Sequence, residues 1–354
     1  MNLRKTIFVV CLAVAAAACN RTPPLTDSEK NIVNELTGNL KTRCVGRYLI
    51  DMPVDAPEYG DAKVQGVIVQ ADPLSLDDYH AKVAKRETEL RAIKSVDAYP
   101  FLYESGEARG KNTWYFVHRD IPHNDPATRV IEAYKWESGF VFELRIETFD
   151  YEHPDRTDDP IVKQFDVKNR LPQQKELVFG TLDKIRARPS DEIPKESGFC
   201  FSGGFLANKN WRDDDVYTHY ALNDRTGVGF TLMTNGNTYE EATLLERGLE
   251  AQMLFHGEAG KVIRKGSVDL AGMKAEEWLT ETVSDAGVPE QRFSLELNPT
   301  RSGTNAPFLS LDMINGAPRR GGDAELQHAP LTRGEALALW DAVSRTLRLR
   351  PGAL

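Results

Sequence analysis

None of the short motifs that mark common catalytic sites occurs in this sequence of 354 residues. There is no G-x-S-x-G elbow, since Ser202 stands in Phe201-Ser202-Gly203-Gly204 without the flanking pattern of an activated serine. There is no G-x-x-x-x-G-K-[ST] phosphate loop, and Gly227-Val228-Gly229 lacks the third glycine of a dinucleotide site. H-E-x-x-H and C-x-x-C are also missing, so no metal and no cofactor is expected. Basic charge is in deficit, with a formal net charge of −9. That balance argues against nucleic acid or anionic lipid as the ligand and mildly favours a basic partner, the other reading being that acidic charge only keeps the protein soluble. Beyond the first 18 residues no apolar run approaches the roughly 20 residues that span a bilayer.

What is present begins with an export leader. Arg4 and Lys5 form a charged start, and Thr6 to Ala18 is a short apolar core, so residues 1–18 read as a signal peptide. Ala16-Ala17-Ala18-Cys19 has the small residues of a lipobox, which makes Cys19 the expected lipidated residue. An ordinary signal peptide cut after an alanine is the alternative. Residues 19–25 then form a tether with Pro23-Pro24, and the chain is expected at the periplasmic face of a membrane, the outer one before the inner because Asn20 and not Asp follows Cys19. Cys44 and Cys200 remain in an oxidising compartment, where thiols tend to pair. Two buried free thiols packing as small hydrophobes are the other reading.

The remainder reads as one domain written twice. Cys44-Val45-Gly46-Arg47-Tyr48 opens the first copy and Cys200-Phe201-Ser202-Gly203-Gly204-Phe205 the second. Helix starts follow at Ser75-Leu76-Asp77-Asp78 and at Thr238-x-x-Glu241, and each copy closes on a basic segment expected to be helical, ending at Pro189 and at Pro351. These landmarks recur at an offset of about 160 residues, far beyond the roughly 20–50 residues of solenoid repeats. The expected domains are therefore 26–189 and 190–354, with residues 190–197 as linker. Thr26-Asp27-Ser28-Glu29 caps a helix ahead of the first copy. Strands are expected at 64–70, 113–118, 129–136 and 228–234. Phe140, Phe142, Leu144 and Ile146 alternate with Val141, Glu143, Arg145 and Glu147, the period of a half-buried antiparallel strand. Ala242, Leu245, Leu249 and Met253 fall on one face of the second-copy helix. Strands in runs, not strict strand–helix alternation, point to an α+β fold: two similar tandem domains, each an antiparallel sheet packed with a few helices.

Few side chains suggest a site. His118, Asp120, His123, Asp125 and His153 are the nearest approach to a metal cluster and read better as a solvated loop. Glu276 and Glu277 are adjacent on a strand and so face opposite ways. Decorated loops remain. Trp211 beside Asp213, Asp214 and Asp215, then Arg301, Arg319 and Arg320, are the candidates for contact with a protein partner, because tryptophan and arginine anchor interfaces; an ordinary solvated loop is the other reading at each.

Cys44-x-Gly46-Arg47-Tyr48 with Ile50-Asp51-Met52-Pro53, the lipoprotein leader and the second opening at Gly198-Phe199-Cys200-Phe201-Ser202-Gly203 together resemble the immunity proteins paired with type VI secretion phospholipase effectors, the fourth class of lipase–immunity pairs. The resemblance covers nearly the whole mature chain. It implies a non-enzymatic, two-domain clamp in the periplasm that grips a cognate lipase effector. Contact residues do not carry over, because no motif here matches them. An envelope lipoprotein that binds a small ligand or scaffolds the envelope is the alternative reading.

Overall fold

The computed structural model describes residues 23–95, 99–123, 125, 127–152, 160, 164, 169–207, 214–254, 260–283, 288–303, 306–316 and 328–354. The leader, Cys19, Trp211, Asp213, Arg319, Arg320 and His153 lie outside the described residues. The first half runs α1 (Asp27–Thr37), β1 (Leu40–Val45), β2 (Tyr48–Pro53), β3 (Glu58–Val64), β4 (Val67–Pro73), α2 (Leu76–Ala92), β5 (Leu102–Gly106), β6 (Thr113–His118), β7 (Thr128–Glu137), β8 (Phe140–Phe149), α3 (Leu171–Leu182) and β9 (Ile185–Ala187). The second half runs β10 (Gly198–Phe201), β11 (Gly204–Ala207), β12 (Asp214–Ala221), β13 (Val228–Asn235), α4 (Leu244–Leu254), β14 (Lys261–Leu270), β15 (Met273–Val283), β16 (Pro289–Leu297), β17 (Phe308–Asn315), α5 (Arg333–Ser344) and β18 (Arg348–Leu349). The fold is α+β, built on antiparallel sheets.

One 12-stranded sheet crosses both halves in the order β14-β15-β16-β17-β13-β12-β3-β4-β8-β7-β6-β5. The seam is the antiparallel ladder β3–β12, from Asp214↔Val64 to Tyr220↔Glu58. Outward from that seam the first half is met as β3, β4, β8, β7, β6, β5 and the second as β12, β13, β17, β16, β15, β14. The two hairpins β1–β2 and β10–β11 stand apart from this sheet. Each is completed by a third strand from the end of the other half: β18 pairs with β2, and β9 with β11.

The hidden face of the large sheet holds the core. Val64, Val69, Leu144, Val216, Leu232, Leu295 and Leu311 join Val178 and Leu182 of α3 and Trp340 and Val343 of α5 in one buried cluster. The Trp340 ring meets Phe293 edge-on, 5.8 Å between centroids. α1 starts on the expected capping box, with Thr26 and Glu29 reciprocally bonded. It packs on α5 of the second half, where the Thr332 hydroxyl donates to Glu29 at 2.7 Å. Ser75 caps α2 as expected.

Four local expectations are corrected. The strand placed at 64–70 is a hairpin: Gln65 and Gly66 both take positive φ, 50° and 90°, which suits the two-residue turn between twisted strands. The second-copy helix does not start at Thr238. Thr243 and Glu246 form the working box, with the Glu246 amide donating to the Thr243 hydroxyl and the Thr243 amide to the Glu246 carboxylate. On that helix Leu249 and Met253 are exposed, because it meets the sheet through Gly248, which lies flat on the Trp278 ring. Lastly, the basic endings are strands. α3 stops at Leu182 and α5 at Ser344, and the arginines that follow alternate with apolar residues in β9 and β18.

Candidate partner-binding surface

In an antiparallel ladder, residues directly opposite one another point to the same face. That rule traces the second face of the large sheet without ambiguity. From the seam outward, Lys63 opposes Ile68 and Ile68 opposes Arg145. On the other side Tyr217 opposes Met233, Met233 opposes Ser310, and Ser310 opposes Glu296. Across the seam the pairs on this face are Tyr59–His219, Asp61–Tyr217 and Lys63–Asp215.

Two helices cover the flanks of this face. α2 buries Tyr79, Val83 and Leu90 against Phe116, Tyr134 and Val141. It is pinned by Arg86, which donates to both Glu132 oxygens at 2.8 and 2.5 Å, and by an ion pair from Lys82 to Glu143. α4 covers Trp278, donates a hydrogen bond from its Leu245 amide to Glu276 at 3.0 Å, and pairs Arg247 with Glu296 at 2.5 Å. Between the helices, no described helix covers β4, β3, β12 and part of β13. Tyr59 is 59 % exposed, Tyr217 44 % and Ile68 39 %, on strands that are half-buried by design of the sheet. The result is a trough whose floor is the seam of the two halves and whose walls are α2 and α4.

The floor is polar in an uneven way. Burial lowers the His219 imidazole below its ordinary value, and its Nδ1 lies 3.1 Å from the Thr231 hydroxyl. Burial raises the Asp312 carboxyl, opposed in part by the Ser294 and Ser310 hydroxyls. Burial raises Asp61 as well.

Of the candidates read from sequence, Asp214 is not a surface residue. It is 6 % exposed and faces Arg47 at 3.2 Å, because β12 turns its side chain into the back layer. Its neighbour Asp215 points the other way, onto the trough floor opposite Lys63. Arg301 is exposed and stacks over the Tyr239 ring, 5.5 Å from its centroid, where loop 298–303 braces the segment leading to α4. Cys44 and Cys200 are bonded to one another behind the seam, Cα atoms 5.7 Å apart. His118 is no loop residue. It ends β6, is buried, and lies 3.0 Å from Glu132, while Asp120 pairs with Arg145. Among the described residues no group of three metal-ligating side chains forms. Glu276 serves α4, and Glu277 faces the core, where Arg264, Arg345 and the Trp340 indole reach it.

The trough floor was missed in the sequence. Tyr59-x-Asp61-x-Lys63 and Asp215-x-Tyr217-x-His219 alternate with small or apolar residues, which is a strand signal. Loop-like acids before Val216 and the glycine at 60 obscured it.

Comparison with known proteins agrees with this architecture. The model described as "Tle cognate immunity protein 4 N-terminal domain" matches residues 41–188, and "Tle cognate immunity protein 4 C-terminal domain" matches residues 192–352. No curated protein matches. Among solved structures, "The crystal structure of Tle4-Tli4 complex" contains a chain similar at 21 % identity and TM-score 0.71, covering 90 % of this chain and 99 % of that one. "Apo structure of immunity protein TplEi of T6SS from Pseudomonas aeruginosa" is similar at 21 % identity and TM-score 0.68, covering 89 % and 98 %. The structure of TplEi "complexed with "L" peptide" is similar at 18 % identity and TM-score 0.64, covering 89 % and 99 %. With both family domains matched in order along its length, this chain belongs to the Tle cognate immunity protein 4 family and is an immunity protein, not an enzyme.

Proposed function

We propose that this chain is the lipid-anchored periplasmic inhibitor of a type VI phospholipase effector, and that it grips the effector in the trough between α2 and α4. The observation that carries the reading is the open sheet face at the seam. A stable complex buries about 800 Å² on each partner. Four strands spaced about 4.8 Å apart and seven residues at about 3.3 Å each give a floor of roughly 400 Å². The helical walls must supply the rest, so both halves take part in the grip. A relative is described in complex with Tle4 and another with a peptide, which supports a protein ligand of this kind.

The halves are two copies of one domain, at about 26–189 and 190–354. The matching order of strands outward from the seam supports this. Cys19 carries the lipid, and the bond between Cys44 and Cys200 fits an oxidising compartment.

The test is protection. A periplasm-targeted lipase, taken from the gene beside this one, should stop growth alone and permit it when this chain is co-expressed. Ile68→Asp on the trough floor should abolish protection while leaving the melting temperature within a few degrees. Failure of the unaltered chain to protect or to co-purify with the lipase sinks the inhibitor reading. Full protection by the Ile68 variant moves the docking surface elsewhere. Mass spectrometry of the mature N-terminus decides the anchor at Cys19.

A further inference from the structure

The centre of the trough holds a carboxylate without a counter-charge. Asp61 sits at the middle of the seam, directly opposite Tyr217, with Tyr59 two residues away on the same face. Among the described residues no hydrogen bond or ion pair reaches its oxygens. Burial alone moves its carboxyl, upward, and no neighbouring cation opposes that.

Other carboxylates on this face differ. Glu143 pairs with Lys82, Glu147 with Arg145 and Glu296 with Arg247, while Asp312 accepts from the Ser294 hydroxyl at 2.6 Å. Asp72 is exposed and so solvated by water. Lys63, the nearest cation along β3, stands opposite Asp215. Asp61 therefore bears a desolvation cost that nothing in the described chain offsets.

A partly desolvated anion between two exposed phenol rings is a receptor for a cation. The carboxylate supplies charge-assisted hydrogen bonds, and the ring faces attract positive charge within about 6 Å. We propose that Asp61, walled by Tyr59 and Tyr217, receives one basic side chain of the lipase effector and sets the affinity at the centre of the interface. Arginine fits before lysine, because its planar guanidinium can lie on a tyrosine while forking onto the carboxylate. The position also matches where binding energy concentrates, near the centre and away from solvent. This inference rests on the inhibitor reading above.

The experiment measures binding of the mature chain to its lipase, with the catalytic serine of the lipase replaced by alanine. Asp61→Asn should weaken binding about 10–100-fold, mostly through faster dissociation. Its melting temperature should hold or rise, since an uncompensated charge has gone. Asp61→Lys should weaken binding further, and one Arg→Glu or Lys→Glu change on the lipase should restore it. Binding of Asp61→Asn within about twofold of the unaltered chain overturns the socket and leaves the inhibitor reading standing. So does a loss that no charge reversal on the lipase repairs. If the unaltered chain does not bind the lipase, the inhibitor reading fails and the socket fails with it.

Discussion

The Arg47 guanidinium of the first half and the Asp214 carboxylate of the second lie 3.2 Å apart, and both side chains are buried. Arg47 also donates to the Ala353 carbonyl at 2.7 Å, so one arginine ties the opening of the first half to two distant segments of the second. Removing one partner of such a pair leaves a buried charge uncompensated, at a cost of about 3–5 kcal/mol. Asp214→Ala should lower the urea stability by that amount. Asp215→Ala, one residue on but facing the trough, should change it by about 0–1 kcal/mol, as surface pairs do. Equal effects at the two positions would contradict the assignment of Asp214 to the back layer.

The disulfide closes a longer circuit. Cys44 and Cys200 are 156 residues apart in sequence, and Gly46 and Cys200 exchange two backbone hydrogen bonds of 2.8 Å beside them. The chain-entropy argument gives about 5 kcal/mol for a loop of this length, an upper figure if the unfolded chain keeps some structure. A Cys44→Ser, Cys200→Ser double variant should lose about 2–5 kcal/mol relative to the oxidised chain. Adding reductant should bring the unaltered chain down to the variant and leave the variant unmoved. Non-reducing peptide mapping that finds two free thiols would remove the basis of this expectation.

How much of this was legible in the sequence depends on whether a feature is local. Thr26 and Ser75 cap their helices because a capping motif acts within four residues. The alternation from Phe140 to Glu147 gave a strand because burial on one face has a period of two. The basic endings misled for a local reason: Ile185-Arg186-Ala187-Arg188 and Leu347-Arg348-Leu349-Arg350 alternate, but both follow directly on helices. The seam was illegible because a ladder between β3 and β12 joins residues 150 or more positions apart, and no single segment records its partner. Asp214 and Asp215 show the limit most plainly. They are neighbours of identical chemistry, and only the register of β12 sends one to the core and one to the trough.

The exchange of closing strands makes a prediction about cooperativity. Arg350, beside β18 of the second half, donates to the carbonyls of Pro194, Glu196 and Gly198 at 2.6, 2.9 and 2.6 Å. Burial draws its guanidinium down to about 10, still charged at neutral pH. Arg350→Met keeps the length and strands three carbonyls, each costing about 1–3 kcal/mol if water does not replace the donor. A loss of at least 3 kcal/mol is expected by this count. Because β18 completes the hairpin of the first half, the whole chain should still melt in one transition. Two separated transitions in the variant would show that the halves fold independently, against the shared sheets described above.

The wall of the trough should respond to acid. Burial by itself would raise the Glu132 carboxyl. Hydrogen bonds and positive charge from His118 and Arg86 outweigh burial and hold it well below the usual carboxylate range. In the unfolded chain the same group titrates near about 4.3. As pH falls through that value the unfolded state takes up a proton that the folded state refuses, so stability present at neutral pH is lost on the acid side. Glu132→Gln removes this contribution. It should be less stable than the unaltered chain at pH 7, because Arg86 and His118 lose the negative charge and one of the two oxygens they share beneath α2. Its urea midpoint should then decline less steeply below about pH 5. Glu58, Glu296 and Asp312, all raised by burial, act in the opposite sense but are common to both proteins and cancel in the difference. Parallel midpoint curves between pH 3 and 7 would mean that Glu132 is not held down and that α2 rests on its apolar contacts alone.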